Sequence, residues 1–155
     1  SRRLEDGDFV LLDFGAVYQG YCSDITRTFV LGRDTSEQKA VYAVVQQANS
    51  LASGALRVGM TGMAADAVAR DYIHARGFGE LFGHSLGHGI GLEVHEGPRL
   101  AKTAEAPVKA GAVVTIEPGI YRPGWGGVRI EDDVLVTDDG PRILTTFSRD
   151  LHELR

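Results

Sequence analysis

The chain has 155 residues, 43% of them apolar, and a formal net charge of −5. That length suits one domain with a real core, and no apolar run nears the ~20 residues of a membrane helix. No signal-peptide core follows Arg2-Arg3, the acidic balance without a Lys/Arg cluster argues against nucleic acid as a partner, and the single cysteine, Cys22, excludes an internal disulfide and suits a reducing cytoplasm.

Asp8 to Phe14 reads as a mostly buried strand and Tyr21 to Val30 as a second, with Gly15 to Gly20 free to close a hairpin between them. Thr35-Ser36-Glu37-Gln38 has the form of a capping box. Behind it Val41, Val44, Val45, Ala48, Leu51, Ala52 and Ala55 recur at helical spacing. Thr61 caps a second helix through Ala64, Ala67, Val68 and Ile73, which stops at Gly77. His74, inside that helix, has no partner at a metal spacing and reads as an ordinary surface residue. Strands over 113–117 and 128–136 follow, then a turn at Asp138-Asp139-Gly140 into Arg142 to Phe147. The twenty glycines, many outside obvious turns, point to close backbone packing around a site.

The chemistry is a matter of register. A first hairpin centred between Tyr18 and Gln19 sets Asp13 opposite Asp24; one centred on Gly124 sets Glu117 opposite Glu131. Facing carboxylates ~5 Å apart repel unless a cation lies between them. Strand acids usually point to solvent, but Asp13 and Glu117 each end an apolar run, where a charge is costly unless paired or metal-bound. His84, His88 and His95 then fall within twelve residues among glycines, a density that points to a site rather than to three structural histidines. Four carboxylates and an imidazole make a hard, oxygen-rich ligand set, favouring manganese, cobalt or iron over a structural zinc.

The ordered set Leu12-Asp13-Phe14-Gly15, Ser23-Asp24-Ile25-Thr26-Arg27-Thr28, Gly87-His88-Gly89-Ile90-Gly91, Val94-His95-Glu96, Ile116-Glu117-Pro118-Gly119 and Arg129-Ile130-Glu131-Asp132 resembles the pita-bread metallopeptidases. That family includes methionine aminopeptidase, aminopeptidase P and prolidase, and His84-Ser85-Leu86-Gly87-His88 is similar to the prolidase and aminopeptidase P branch. The resemblance implies an α+β fold, with a curved antiparallel sheet and helices on its outer face. It implies two divalent ions, manganese or cobalt ahead of zinc or iron, on Asp13, Asp24, His88, Glu117 and Glu131. Asp24 would bridge them or chelate one, Glu131 would be a bridging carboxylate, and Glu117 would also carry protons. His95 would bond the scissile carbonyl, His84 would line the proline side of the pocket, and Tyr121 with Arg129 would orient Asp13. The implied reaction is hydrolysis of the bond before proline in dipeptides or short peptides, by a hydroxide shared between the ions.

Three other readings stand beside it: a methionine aminopeptidase, a silent peptide- or protein-binding module on the same fold, and a metal-free hydrolase such as creatinase. Family members also carry a helix and strand ahead of the first ligand, with a substrate-contacting histidine, and a separate N-terminal domain. Residues 1–155 are therefore expected to be a catalytic domain incomplete at its N-terminal end, homodimeric in the full-length protein and a poor catalyst alone.

Overall fold

A computed structural model describes residues 2–155. Strands β1 (Phe9–Tyr18) and β2 (Tyr21–Leu31) form an antiparallel hairpin. Helices α1 (Ser36–Ala55) and α2 (Gly62–Ala75) follow, then a single 3-10 turn at Gly79–Leu81. Eight short strands complete the chain: β3 (Gly87–Gly89), β4 (Glu96–Leu100), β5 (Val113–Ile116), β6 (Gly119–Arg122), β7 (Gly126–Arg129), β8 (Asp132–Thr137), β9 (Gly140–Ile143) and β10 (Glu153–Leu154). They pair in three groups, β1-β2-β10, β4-β3-β5-β8-β9 and β6-β7. All pairs are antiparallel except β10 with β2. No helix among the described residues is long and apolar enough to cross a membrane.

Both helices start where their caps predict. Thr35 accepts from the Gln38 N–H at 3.1 Å while the Gln38 side chain accepts from the Thr35 N–H at 2.8 Å, the reciprocal pair of a capping box. Thr61 caps α2 by accepting from the Ala64 N–H. The chain leaves α2 through Gly77, whose φ of 84° is cheap only for glycine.

The first hairpin turns one residue later than the sequence suggests. Tyr18 pairs with Tyr21, and Gln19 and Gly20 form the turn with φ values of 49° and 85°. Two positive φ values match the twist of the flanking strands, the geometry of a type I′ turn. The shift sets Asp13 opposite Thr26 and Gly15 opposite Asp24, so the two aspartates lie diagonally on one face rather than directly across. The second carboxylate pair keeps the expected register. Ile116 pairs with Asp132 and Gly119 with Arg129, so Glu117 falls opposite Glu131 in the gap between the two ladders. That gap divides the strand expected over 128–136 into β7 and β8. The last expected strand also differs: β9 begins at Gly140 and ends at Ile143.

Alternation along β5 to β8 sorts the side chains onto two faces. Ile116, Ile120, Val128, Ile130, Val134 and Val136 are buried in one cluster with Val41, Val45, Ala48 and Ala52 of α1. The intervening residues Thr115, Glu117, Tyr121, Arg129, Glu131 and Asp133 therefore face the other way. Asp132 falls on the apolar side and is fully buried, so its charge needs partners. Arg27 donates to its Oδ1 at 2.7 Å and Arg149 to its Oδ2 at 2.6 Å. Arg27 also donates to the carbonyls of Thr26, Glu131, Phe147 and Ser148, tying β2, β8 and the C-terminal segment together.

Removing one partner from a buried ion pair strands the other charge, at a cost of about 3–5 kcal/mol. Asp132→Ala should lose about that much in urea denaturation; a loss under about 1 kcal/mol would show that water reaches Arg27 freely.

Candidate metal centre

Three strands and the gap between two ladders supply one hollow. β1 brings Asp13, β2 brings Asp24 and Thr26, β3 brings His88, and Glu117 and Glu131 come from the gap between the ladders. Asp24, His88 and Glu131 each present a ligand-type atom, all within 4.8 Å of one another. His88 Nε2 lies 4.0 Å from Asp24 Oδ2 and 3.4 Å from Glu117 Oε1. Asp13, His88, His95 and Glu117 line both of two adjoining cavities, of about 430 Å³ and about 860 Å³. Asp24 and Glu131 line the smaller; His84, Arg99 and Arg129 line the larger.

Glycine lets β3 come this close. A methyl group on Gly87 would run into the Thr115 carbonyl, and one on Gly89 into the Gly97 carbonyl. The Thr115 hydroxyl accepts from the His88 N–H at 3.0 Å and donates to Glu117 Oε1 at 3.1 Å, so one side chain spaces two site residues.

The hydrogen bonds assign the histidine tautomers. Nδ1 of His88 lies 3.0 Å from the Gly89 carbonyl, which can only accept, so Nδ1 carries the hydrogen in the neutral ring. Its Nε2 lone pair then faces carboxylate oxygens, an arrangement repulsive in itself and favourable around a cation. His84 follows the same rule: Nδ1–H donates to the Ser85 carbonyl at 2.8 Å, and Nε2 accepts from the Tyr121 hydroxyl at 2.9 Å. Burial lowers the His84 pKa, in keeping with the neutral ring. Arg129 in turn donates to the Tyr121 oxygen at 3.2 Å, to Thr26 Oγ1 at 3.0 Å and to Asp13. Tyr121 and Arg129 thus form a continuous chain from His84 to Asp13. His95 is exposed, its ring centre 4.2 Å from that of His88. His74 is exposed on α2 and outside the site.

Burial raises the Glu117 carboxyl to about 7 and the Glu131 carboxyl to about 8, and the neighbouring carboxylates push in the same direction. Glu131 is nearly inaccessible, with Thr26 Oγ1 donating to it at 2.5 Å. Asp24 is raised by burial and then by Asp13. Asp133 escaped the sequence reading. Its Oδ2 accepts from the Asp24 N–H at 3.1 Å, its Oδ1 is buried without a partner among the described residues, and burial raises it to about 6. The signal was present in the alternation, because Asp133 lies two residues beyond Glu131 on the same face. The set fits divalent cations: carboxylates crowded and desolvated, with an imidazole lone pair turned toward them.

Residues 1–138 match metallopeptidase family M24. The chain belongs to that family. Over 151 residues, 97% of the chain, it is 52% identical to the peptidase YqhT of Bacillus subtilis and 49% identical to the Xaa-Pro dipeptidase of Pyrococcus furiosus. The solved Xaa-Pro dipeptidase from Bacillus anthracis superposes on 97% of the chain with a TM-score of 0.95 at 52% identity. The chain spans 43% of the length of the two curated relatives and 42% of the solved one. The fold is the α+β pita-bread fold of the M24 peptidases, and membership of a metallopeptidase family implies divalent metal ions.

Without metal, the raised carboxyls give stability a defined sign. A folded-state pKa above the unfolded value near 4.5 favours the protonated group in the fold. That contribution is complete below about pH 4.5 and is lost as pH rises through about 7 and about 8. In the presence of a chelator, melting temperature should therefore fall from pH 5 to pH 8.5. A rise over that range would contradict the crowding of these groups.

Proposed function

We propose that this chain carries the catalytic centre of a dinuclear metallo-exopeptidase that cleaves the peptide bond preceding proline in dipeptides or short peptides. The observation that carries the reading is the convergence of Asp24, Glu131 and the His88 Nε2 lone pair within 4.8 Å, with Asp13 and Glu117 on the same cavity wall. Asp13, Asp24, His88, Glu117 and Glu131 would hold two divalent ions, manganese or cobalt by the hardness of the set. Ions held there supply Lewis acidity and lower the pKa of a water toward neutrality.

The protein side chains supply the rest. Glu117, ionised once the ions are bound, takes a proton from the attacking water and returns it to the leaving nitrogen. His95, exposed beside His88, donates to the oxygen of the scissile carbonyl as charge develops on it. His84, neutral and locked by Tyr121 and Ser85, forms the wall for the proline ring. Arg129 orients Asp13. Arg99 lines the larger cavity without an ion-pair partner among the described residues, and suits the free carboxylate of a dipeptide. A bond to a proline nitrogen has no N–H to recognise, and none of these contacts uses one.

The names of the dipeptidases from Pyrococcus furiosus and Bacillus anthracis favour this reading over a methionine aminopeptidase. The intact convergence of ligand-type atoms weighs against a silent binding module.

The direct test gives the full-length, N-terminally extended protein an Xaa-Pro dipeptide, an Xaa-Pro tripeptide and a peptide with N-terminal methionine, each with Mn²⁺ or Co²⁺. Release of the residue before proline is expected, and cleavage after methionine alone would overturn the reading. In the full-length enzyme His95→Ala should keep its metal and lose about 100-fold or more in kcat, the scale of one oxyanion donor. His88→Ala should lose metal first. Reversed behaviour of these two variants would refute the roles assigned to them.

A further inference from the structure

We propose that Asn49, on α1, is a positioning residue that sets the spacing of Glu117 and Glu131. The inference rests on reading those two glutamates as metal ligands.

Asn49 is fully buried on the face of α1 that meets the sheet. Its amide nitrogen donates to the Ile116 carbonyl at 2.8 Å and to the Ile130 carbonyl at 3.1 Å. These are the carbonyls immediately before Glu117 and Glu131. One amide therefore bridges the two chain segments at the gap where the β5-β8 ladder stops and the β6-β7 ladder has yet to begin.

The reason a side chain is needed there is covalent. In an antiparallel ladder, a hydrogen-bonded pair exchanges two N–H···O bonds. Ile130 donates to the Pro118 carbonyl at 3.5 Å, but Pro118 has no N–H to return. The Ile130 carbonyl is left without its ladder donor in a buried place, where an unmet acceptor is costly. Asn49 supplies the missing hydrogen. The glutamates cannot close the gap themselves, because their N–H groups point outward, Glu117 to the Leu86 carbonyl at 2.8 Å and Glu131 to the Thr26 carbonyl at 3.1 Å.

The orientation of the amide follows from the same chemistry. Turned over, its oxygen would face two carbonyl oxygens, so the nitrogen must point inward. The Asn49 Oδ1 is left buried with no partner among the described residues. Such a group weakens a core, so its presence is explained by the two bonds it donates rather than by packing.

The test is calorimetric titration of the metal-free protein with Mn²⁺. Asn49→Leu keeps the branched shape and removes both bonds; Mn²⁺ affinity should fall about 10–100-fold, the usual scale for groups that orient ligands. Val45→Ala, one turn earlier in the same core, should lower the melting temperature yet bind Mn²⁺ as the wild type does. Asn49→Leu combined with Pro118→Ala restores a backbone N–H opposite the Ile130 carbonyl and should recover part of the affinity. Wild-type affinity in Asn49→Leu, equal weakening in Val45→Ala, or no recovery in the double variant would each overturn the proposal. If Asn49→Leu does not fold, Asn49→Ser gives the same comparison, with weakened binding in support and unchanged binding against. A wild-type protein that takes up no Mn²⁺ would instead refute the ligand reading itself.

Discussion

Four carboxylates crowd one hollow together with an imidazole lone pair, and water is largely excluded from the two glutamates among them. At neutral pH this arrangement opposes folding on two counts, because like charges repel and desolvation penalises each ionised group. The surroundings hold it in place. Thr26 and Thr115 donate hydroxyls to the glutamates, Arg129 lies against Asp13, and glycines on both sides of His88 let its strand approach. These contacts orient the acids without neutralising most of them. A set of anions held in register and left short of positive charge is what a divalent cation completes.

Glu131 and Asp132 make the point within two residues. They are neighbours in sequence and both buried, but pleating turns them to opposite faces. Asp132, on the α1 side, is met by two arginines. Glu131, on the other side, receives one hydroxyl and is raised to about 8. The protein can pair a buried carboxylate when pairing is the aim. Glu131 has no cationic partner among the described residues and lies beside Asp24 and His88, so a bound cation would suit that face. Membership of metallopeptidase family M24 implies that such a cation would be a divalent metal ion.

Much of this was legible in the sequence, for physical reasons. The helix starts were readable because Thr35, Gln38 and Thr61 act on the backbone beside them. The Glu117–Glu131 register was readable because Gly124 marks the centre of its hairpin, and every pair outward from it follows. The first hairpin was misjudged by one step because Gln19 takes a positive φ that glutamine rarely adopts, so nothing in the residue type advertised it. Alternation puts Asp133 on the ligand face, but its partner, like those of Asn49, is hidden from the sequence for another reason. Each acts on a chain segment distant in sequence, Asp133 on the Asp24 N–H and Asn49 on carbonyls 67 and 81 residues away. Pro118 was the one local clue, since a proline inside a ladder leaves an acceptor that something else must serve.

The central claim is that the hollow is a set of partly protonated ligands awaiting cations, and proton release measures it most directly. The metal-free protein would be titrated with Mn²⁺ at pH 6.5 by calorimetry, in several buffers of different ionisation enthalpy. The account predicts two ions bound per chain and a net release of protons as Glu117 and Glu131 ionise. Binding without proton release would contradict the raised carboxyls, and no binding would contradict the site.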